Sequence, residues 1–311
     1  MDFIAELQKI SERVKINEPM SAHTSIGIGG PADYYIEVEN ESQLKRLIAL
    51  CPKFRIPYFL VGEGSNLLVK DGGIRGVVIK LIGDFEHVKI KDEHVVIGAG
   101  VGLPRLLKEV TKEGLEGLEF LIGIPGTFGG AIFMNAGAYG KSISERVNWV
   151  KVMDSSTRVK VLASDDLRFT YRGSNLSGYI ILEAEVVLDK SEKGIIEEKM
   201  KELIEIRKST QPLHERTFGC VFKNPKGYIA GELISKAGLA GLKIGDVKVS
   251  TKHANFIQNA GQAKAKDALA IIERIKKEVM ERFGVLLEEE VITIGKNSCP
   301  TKVYKKERQT I

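Results

Sequence analysis

Gly123-Ile124-Pro125-Gly126-Thr127-Phe128-Gly129-Gly130-Ala131 runs without a break into Ile132-Phe133-Met134-Asn135-Ala136-Gly137-Ala138-Tyr139-Gly140, so small residues dominate a long continuous stretch. Glycine loses more conformational freedom on folding than any other residue. Such density is retained where the backbone turns through positive φ or must press against something flat or charged. Upstream, the short apolar strand Pro57-Tyr58-Phe59-Leu60-Val61 feeds a second such stretch, Gly62-Glu63-Gly64-Ser65-Asn66-Leu67-Leu68-Val69. Free amides in a loop of that kind can face a phosphate. Two loops of this kind predict one large, phosphate-bearing ligand. Neither common nucleotide signature fits Gly62 to Leu68: Gly-x-Gly-x-x-Gly is absent there and no Gly-Lys-Ser/Thr closes the loop. Taken alone, Gly62 to Leu68 also reads as a plain turn.

A chain of 311 residues exceeds one small domain, so two or three units sharing a site are expected. Hydrophobic residues make up 43% and charged residues 28%, an ordinary globular mixture. No apolar run reaches the ~20 residues of a spanning helix, and Met1-Asp2-Phe3-Ile4-Ala5-Glu6 lacks a signal-peptide pattern. A cytoplasmic protein with no membrane partner is the expectation. The net charge of +5, from 46 basic and 41 acidic residues, is too dispersed for a nucleic-acid footprint but suits an anionic small molecule. The three cysteines, Cys51, Cys220 and Cys299, have no Cys-x-x-Cys spacing, which indicates neither a disulfide framework nor a metal site. The basic residues between Lys302 and Arg308 read as a solvated tail.

Periodicity predicts a helix from Asp2 to Arg13, a strand Tyr34 to Val38, a helix Glu41 to Leu50, and strands through Val77 to Ile79 and Val95 to Ile97. A helix Leu103 to Glu113 and strands Asn148 to Met153, Arg158 to Leu162 and Tyr179 to Leu188 follow. These elements predict an α+β domain over residues 1–190 made of two lobes, about 20–100 and 101–190, with the glycine loops between them. Lys193 to Lys208 is an amphipathic connector with Ile196, Met200, Leu203 and Ile204 inward. A second α+β domain, 191–297, precedes the tail 298–311. Its long helix is expected from an N-cap at Asp267 to Phe283, with Gly284 just past its end, followed by a strand Val285 to Ile294.

Four further features suggest chemistry. Arg172, in Tyr171-Arg172-Gly173-Ser174, offers a guanidinium that can hold a carboxylate bidentately, although a lone arginine is usually a surface residue. Alternation along Val285 to Ile294 would put Glu290 on a face with Ile292 and Ile294. A partly desolvated carboxyl there would have a raised pKa, as an acid held protonated near neutral pH requires; exposed edge glutamates are the plain alternative. Cys220, in Gly219-Cys220-Val221, reads locally as a small core residue. His253 reads as a structural hydrogen bonder or a ligand contact.

Together, Thr24 to Ala32, Gly62 to Val69, Gly123 to Gly140, Tyr171 to Ser174, Gly219 to Pro225, His253 to Asn259 and Leu287 to Gly295 resemble the UDP-N-acetylenolpyruvoylglucosamine reductase (MurB) family of peptidoglycan synthesis. The likeness runs from about His23 to Gly295. Gly-Ile-Pro-Gly-Thr-x-Gly-Gly-Ala followed by Met-Asn-Ala-Gly-Ala-Tyr-Gly is its most specific part. The resemblance implies an FAD-binding domain of the vanillyl-alcohol-oxidase/PCMH type in 1–190 and a C-terminal α+β substrate-binding domain in 191–297. Noncovalent FAD would be held by Gly62, Glu63, Gly64, Ser65, Asn66 and Leu67, by Gly123, Ile124, Pro125, Gly126, Thr127, Gly129, Gly130 and Ala131, and by Asn135, Ala136 and Gly137. NADPH would reduce FAD and leave. The enolpyruvyl UDP-sugar would then take a hydride from flavin N5 at C3, giving UDP-N-acetylmuramate.

The same resemblance gives Arg172 and a protonated Glu290 the developing charge at the carboxylate, and Cys220, usually serine in the family, the proton for C2. With a reference thiol pKa of about 8.5, loss of activity above about pH 8 to 9 is expected unless the site shifts the thiol from that value. Tyr139, Lys223, Asn224 and His253 would touch substrate. The short segment Gly173 to Gly178 implies that the tyrosine-bearing insertion of some members is missing. A monomer fits this reading. A different FAD-dependent oxidase of the same fold would keep the glycine loops without needing Arg172, Cys220 and Glu290 together. A nucleotide-sugar-binding protein would keep the fold without the chemistry.

Overall fold

In the computed structural model, which describes residues 2–297, helix α1 (Phe3–Gln8) is capped by Asp2 and ends well before Arg13. Ser11 explains the early stop: its Oγ donates to the Glu37 carbonyl and accepts from the Arg13 amide. The chain then enters β1 (Val14–Pro19), which pairs antiparallel with β2 (Pro31–Val38), and the Arg13 carbonyl already accepts from the Glu37 amide, so the predicted helix gives way to sheet pairing before its expected end. Helix α2 (Glu41–Leu50) has the predicted bounds, with the Asn40 side chain capping the Gln43 amide and Leu44, Leu47 and Ile48 buried. Strands β3 (Tyr58–Val61), β4 (Leu67–Val69) and β5 (Ile74–Leu81) follow, and the first sheet has the order β1-β2-β5-β3, with β5 parallel to both its neighbours. The first glycine loop leaves directly from the end of β3.

The second sheet is built from β6 (Val88–Lys91), β7 (His94–Gly98), β8 (Val147–Met153) and β9 (Val159–Ala163), and, after the short strands β10 (Phe169–Thr170) and β11 (Gly173–Ser174), which form a separate two-stranded hairpin, from β12 (Ile180–Val187). Its order is β9-β8-β12-β7-β6. Because β6 and β7 pair here, the divide between sheets falls after β5, not near residue 100 as predicted. Helix α3 (Leu103–Lys112) buries Leu103, Leu106, Leu107 and Val110, and α4 (Phe128–Phe133) starts inside the second glycine loop with Thr127 as its N-cap. One apolar core runs through both sheets.

Helix α5 (Lys193–Thr210) leads into β13 (Thr217–Cys220), α6 (Ala230–Lys236), β14 (Lys243–Ile244), β15 (Val247–Val249), β16 (Phe256–Asn259) and α7 (Ala265–Phe283). The sheet order is β13-β16-β15-β14, packed on α6 and α7 around a core of its own. Gly284, at φ +66°, ends α7 as predicted. Its start differs from the expectation. The helix begins at Ala265, and its first amides are capped by Asp71 from the first part of the chain: Oδ1 accepts from Ala265 at 2.8 Å and Oδ2 from Lys266 at 3.0 Å. Asp267 lies in the first turn instead.

The predicted strand Val285 to Ile294 is regular only over β17 (Ile292–Ile294). The amides of Glu290 and Val291 both donate to the Val221 carbonyl, which breaks the period-two alternation, so the face assigned to Glu290 from the sequence does not hold. β17 pairs parallel with β4, returning the chain to the first glycine loop. Among the described residues no helix is long and apolar enough to cross a membrane. The tail 298–311, with Cys299, lies outside the described residues.

Candidate active site

The two glycine loops meet. Ser65 Oγ donates to the Pro125 carbonyl at 2.7 Å, and a Cβ added at Gly62 would come within 2.5 Å of Thr127 Oγ1, so only glycine allows this approach. Among the described residues the amides of Glu63, Gly64, Ser65, Gly126 and Thr127 donate no hydrogen bond, and a Cβ at Gly126 would meet only Ser65 Oγ, at 3.3 Å. A row of unspent N–H groups beside open space fits a pyrophosphate-bearing cofactor such as FAD. Ile124 and Ala131 are tied into local turns, Glu63 pairs with Lys80, and Leu67 is buried in β4.

Asn135, Ala136 and Gly137 lead from α4 toward Arg172. The buried Asn135 amide donates to the Thr170 carbonyl at 2.9 Å and its Oδ1 accepts from the Ser144 amide. The Gly137 carbonyl accepts from Arg172 Nη2 at 2.8 Å. Arg172 sits in the turn between β10 and β11 with φ +59°, a left-handed conformation that costs a non-glycine residue on the order of 1 to 3 kcal/mol. Arg172 Nε lies 3.0 Å from Glu290 Oε1, and both side chains are mostly withdrawn from solvent, at 21% and 17% exposure.

Burial pushes the Glu290 carboxyl above its ordinary value, while Arg172 and Lys223 oppose the shift. The backbone of Glu290 is fixed from two sides: its amide donates to Val221, and its carbonyl accepts from Asn66 Nδ2 at 3.0 Å. Cys220, at the end of β13, is only half-buried as a residue, yet its thiol lies deep. Desolvation, reinforced by Glu290, pushes it up to about 12, with Arg172, Arg207 and Asn255 opposing. The enclosed thiol therefore falls under the exception for a site that shifts the reference value, and no alkaline limb from Cys220 is expected at pH 8 to 9.

Tyr139, at φ +55°, is partly exposed and donates from its hydroxyl to the Leu203 carbonyl at 2.9 Å. Lys223 pairs with Glu288, and Asn224 Oδ1 accepts from the Ala230 amide at the start of α6, leaving its Nδ2 for other partners. His253 packs against Gly231 and edge-on to Phe256, and its Nδ1 accepts from the Asn255 amide. Burial lowers its pKa, so it presents a neutral imidazole. Two residues escaped the sequence reading. Asn255 clamps the backbone after Cys220, accepting from the Phe222 amide and donating to its carbonyl. Arg207 is buried at 7% exposure on the inward face of α5, with its guanidinium over the Tyr139 ring. A signal existed: Arg207 falls four and three positions after the inward-facing Leu203 and Ile204.

Comparison with known proteins agrees with this arrangement. Residues 32–163 match the family model for an FAD binding domain, and residues 211–294 match that for the UDP-N-acetylenolpyruvoylglucosamine reductase C-terminal domain. The chain is 44% identical over 288 residues to the UDP-N-acetylenolpyruvoylglucosamine reductase of Clostridioides difficile (strain 630), covering 92% of this chain and 95% of that one. It is 42% identical over 287 residues to UDP-N-acetylenolpyruvoylglucosamine reductase 2 of Symbiobacterium thermophilum, covering 92% and 93%. The crystal structure of the Thermus caldophilus enzyme of that name superposes with a TM-score of 0.79 at 37% identity, covering 90% of this chain and 98% of that chain.

Proposed function

The chain belongs to the UDP-N-acetylenolpyruvoylglucosamine reductase family, FAD-dependent oxidoreductases of peptidoglycan precursor synthesis, and on that premise we propose that it reduces the enolpyruvyl group of UDP-N-acetylenolpyruvoylglucosamine to UDP-N-acetylmuramate. Noncovalent FAD, when bound, supplies the hydride that it has taken from NADPH. The residues that would hold it are the free amides of Glu63 to Ser65 and of Gly126 and Thr127, with the glycines around them. Support for a noncovalent site comes from the sequence, since neither loop contains a histidine or cysteine.

The single observation that carries the reading is the Arg172–Glu290 pair at 3.0 Å, in one buried centre with the Cys220 thiol. As the hydride arrives at C3, negative charge grows at C2 and spreads into the adjoining carboxylate. Arg172 and the protonated carboxyl of Glu290 would donate to those oxygens, where charge develops. The Cys220 thiol, held protonated by burial, would release its proton to C2. In this reading substrate carboxylate replaces Glu290 as the partner of Arg172, and residues 191–297 hold the UDP-sugar, with Asn224 Nδ2 and Lys223 on its path.

The test is a flavin spectrum of the purified protein, then anaerobic NADPH, then the enolpyruvyl substrate. Bleaching by NADPH and return of oxidised flavin with substrate are expected. Flavin that stays reduced after substrate is added would remove the assignment, as would a protein that binds no FAD.

A further inference from the structure

Glu63 carries the only charged side chain of either glycine loop, since Gly62 to Val69 and Gly123 to Gly140 contain no other. It stands among the free amides that suit a pyrophosphate. A carboxylate held at such a place opposes the approach of an anion. The loop does not carry it away. Gly64, at φ +60°, packs so close to the His23 carbonyl that an added Cβ would clash with it, and the Gly64 carbonyl accepts from the Ser25 amide at 3.3 Å. Ser65 is tied to Pro125 on the other side. With its backbone pinned between these contacts, Glu63 keeps its charge beside the amides.

The first sheet supplies a counter-charge. Lys80 Nζ donates to Glu63 Oε1 at 3.2 Å, with the side chains 27% and 51% exposed. Lys80 belongs to β5, in register with Glu37 of β2 on one side and with Val61, the last residue of β3, on the other. Its backbone is therefore fixed in the middle of that sheet, one strand away from the point where the loop begins. Glu37 has a cation of its own in Arg13, at 3.3 Å. The Glu63 charge is also felt inside the fold: burial raises the pKa of the Tyr35 phenol, and Glu37, Glu18 and Glu63 raise it further. A partly exposed ion pair contributes little to stability, so its loss should register in the binding of a charged ligand more than in the fold.

We propose that Lys80, outside both glycine loops, is a positioning residue for the dinucleotide cofactor that acts through Glu63, cancelling the loop's one negative charge so that the amides of Glu63 to Ser65 can take a diphosphate. The inference rests on the flavin-dependent reading above. Four variants test it beside the wild type: Lys80→Met, Lys80→Arg, Glu63→Gln, and Lys80→Met combined with Glu63→Gln. Each full-length apoprotein is titrated with FAD, and the dissociation constant is read from the quenching of flavin fluorescence. Titrations are run at about 0.01 M and about 1 M salt, between which the Debye length falls from roughly 30 to 3 Å. Thermal melting of each apoprotein is recorded.

At low salt Lys80→Met should raise the dissociation constant about three- to tenfold, and at high salt less than about twofold. Lys80→Arg should keep the wild-type value. Glu63→Gln, which leaves Lys80 unpaired beside the phosphates, should tighten binding about two- to fivefold at low salt, and the double variant should return to within about twofold of the wild type. A Lys80→Met protein that melts and binds FAD like the wild type would overturn the proposal. So would a double variant as weak as Lys80→Met, because Lys80 would then act without Glu63. If Lys80→Met does not fold, Glu63→Gln decides alone, and unchanged or weaker binding at low salt overturns the proposal. A wild-type protein that binds no FAD would overturn the flavin reading itself, and this inference with it.

Discussion

Asn66 Nδ2 donates to the Glu290 carbonyl across 3.0 Å, joining the first glycine loop to the acid of the candidate site over a separation of 224 residues. One side chain thus belongs both to the cofactor loop and to the support of Glu290. Asn66→Ala is expected to slow reoxidation of reduced flavin by substrate about tenfold while changing reduction by NADPH less, the scale of one lost hydrogen bond. Stopped-flow absorbance separates the two half-reactions, and equal slowing of both would confine Asn66 to holding FAD.

In the proposed reaction Arg172 and Glu290 would act on charge that exists only while substrate is being reduced. Arg172→Ala or Glu290→Gln should leave flavin reduction by NADPH near the wild-type rate and slow reoxidation by substrate about 10²- to 10³-fold, the scale of one lost oxyanion donor. Rapid mixing of pre-reduced enzyme with substrate measures this directly. A fall in the NADPH step of the same size would assign the pair to the fold.

Cys220 is assigned a proton. Cys220→Ser should remain active and Cys220→Ala should lose about 100-fold or more of substrate-dependent turnover while still accepting electrons from NADPH. An alanine variant turning over like the wild type would exclude Cys220 from protonation.

The pH profile follows from two environments. Glu290 is protonated below its raised pKa, so reoxidation by substrate should decline as pH rises through that value and stay high below it. Cys220, pushed up to about 12, stays protonated across the working range and adds no limb of its own. Glu290→Gln should therefore flatten the alkaline limb, whereas Cys220→Ser should leave it in place. A limb abolished by the serine variant would contradict the assignment to Glu290.

Asp71 caps α7 from another part of the molecule. Asp71→Ala should cost about 1 kcal/mol, lowering the melting temperature of the apoprotein by about 2 to 4 °C. Calorimetry decides, and an unchanged melting temperature would mean that solvent replaces the cap.

What the sequence made readable was mostly local. The spacing of Leu44, Leu47 and Ile48 specifies α2 within a dozen residues, and the glycine density at Gly62 to Asn66 and Gly123 to Ala131 signals the close approach that the two loops make to each other. Long-range physics was hidden. Nothing around Arg13 shows that β1 will find β2, and nothing near Asp267 shows that Asp71 will take its place as cap. The kink at Glu290 depends on the Val221 carbonyl, a partner on another segment. Likewise the Cys220 thiol owes its raised pKa to enclosure by other parts of the chain, and Arg207 looks like one more solvated charge until Gly123 and Tyr139 are brought against it.

Strand β4 pairs in its sheet with β17 alone among the described residues. During synthesis the first glycine loop therefore leaves the ribosome long before the three residues that will align the strand after it. Stable cofactor capture would then wait for β17, and a nascent chain arrested before Ile292 should retain little FAD even though both glycine loops have already been made.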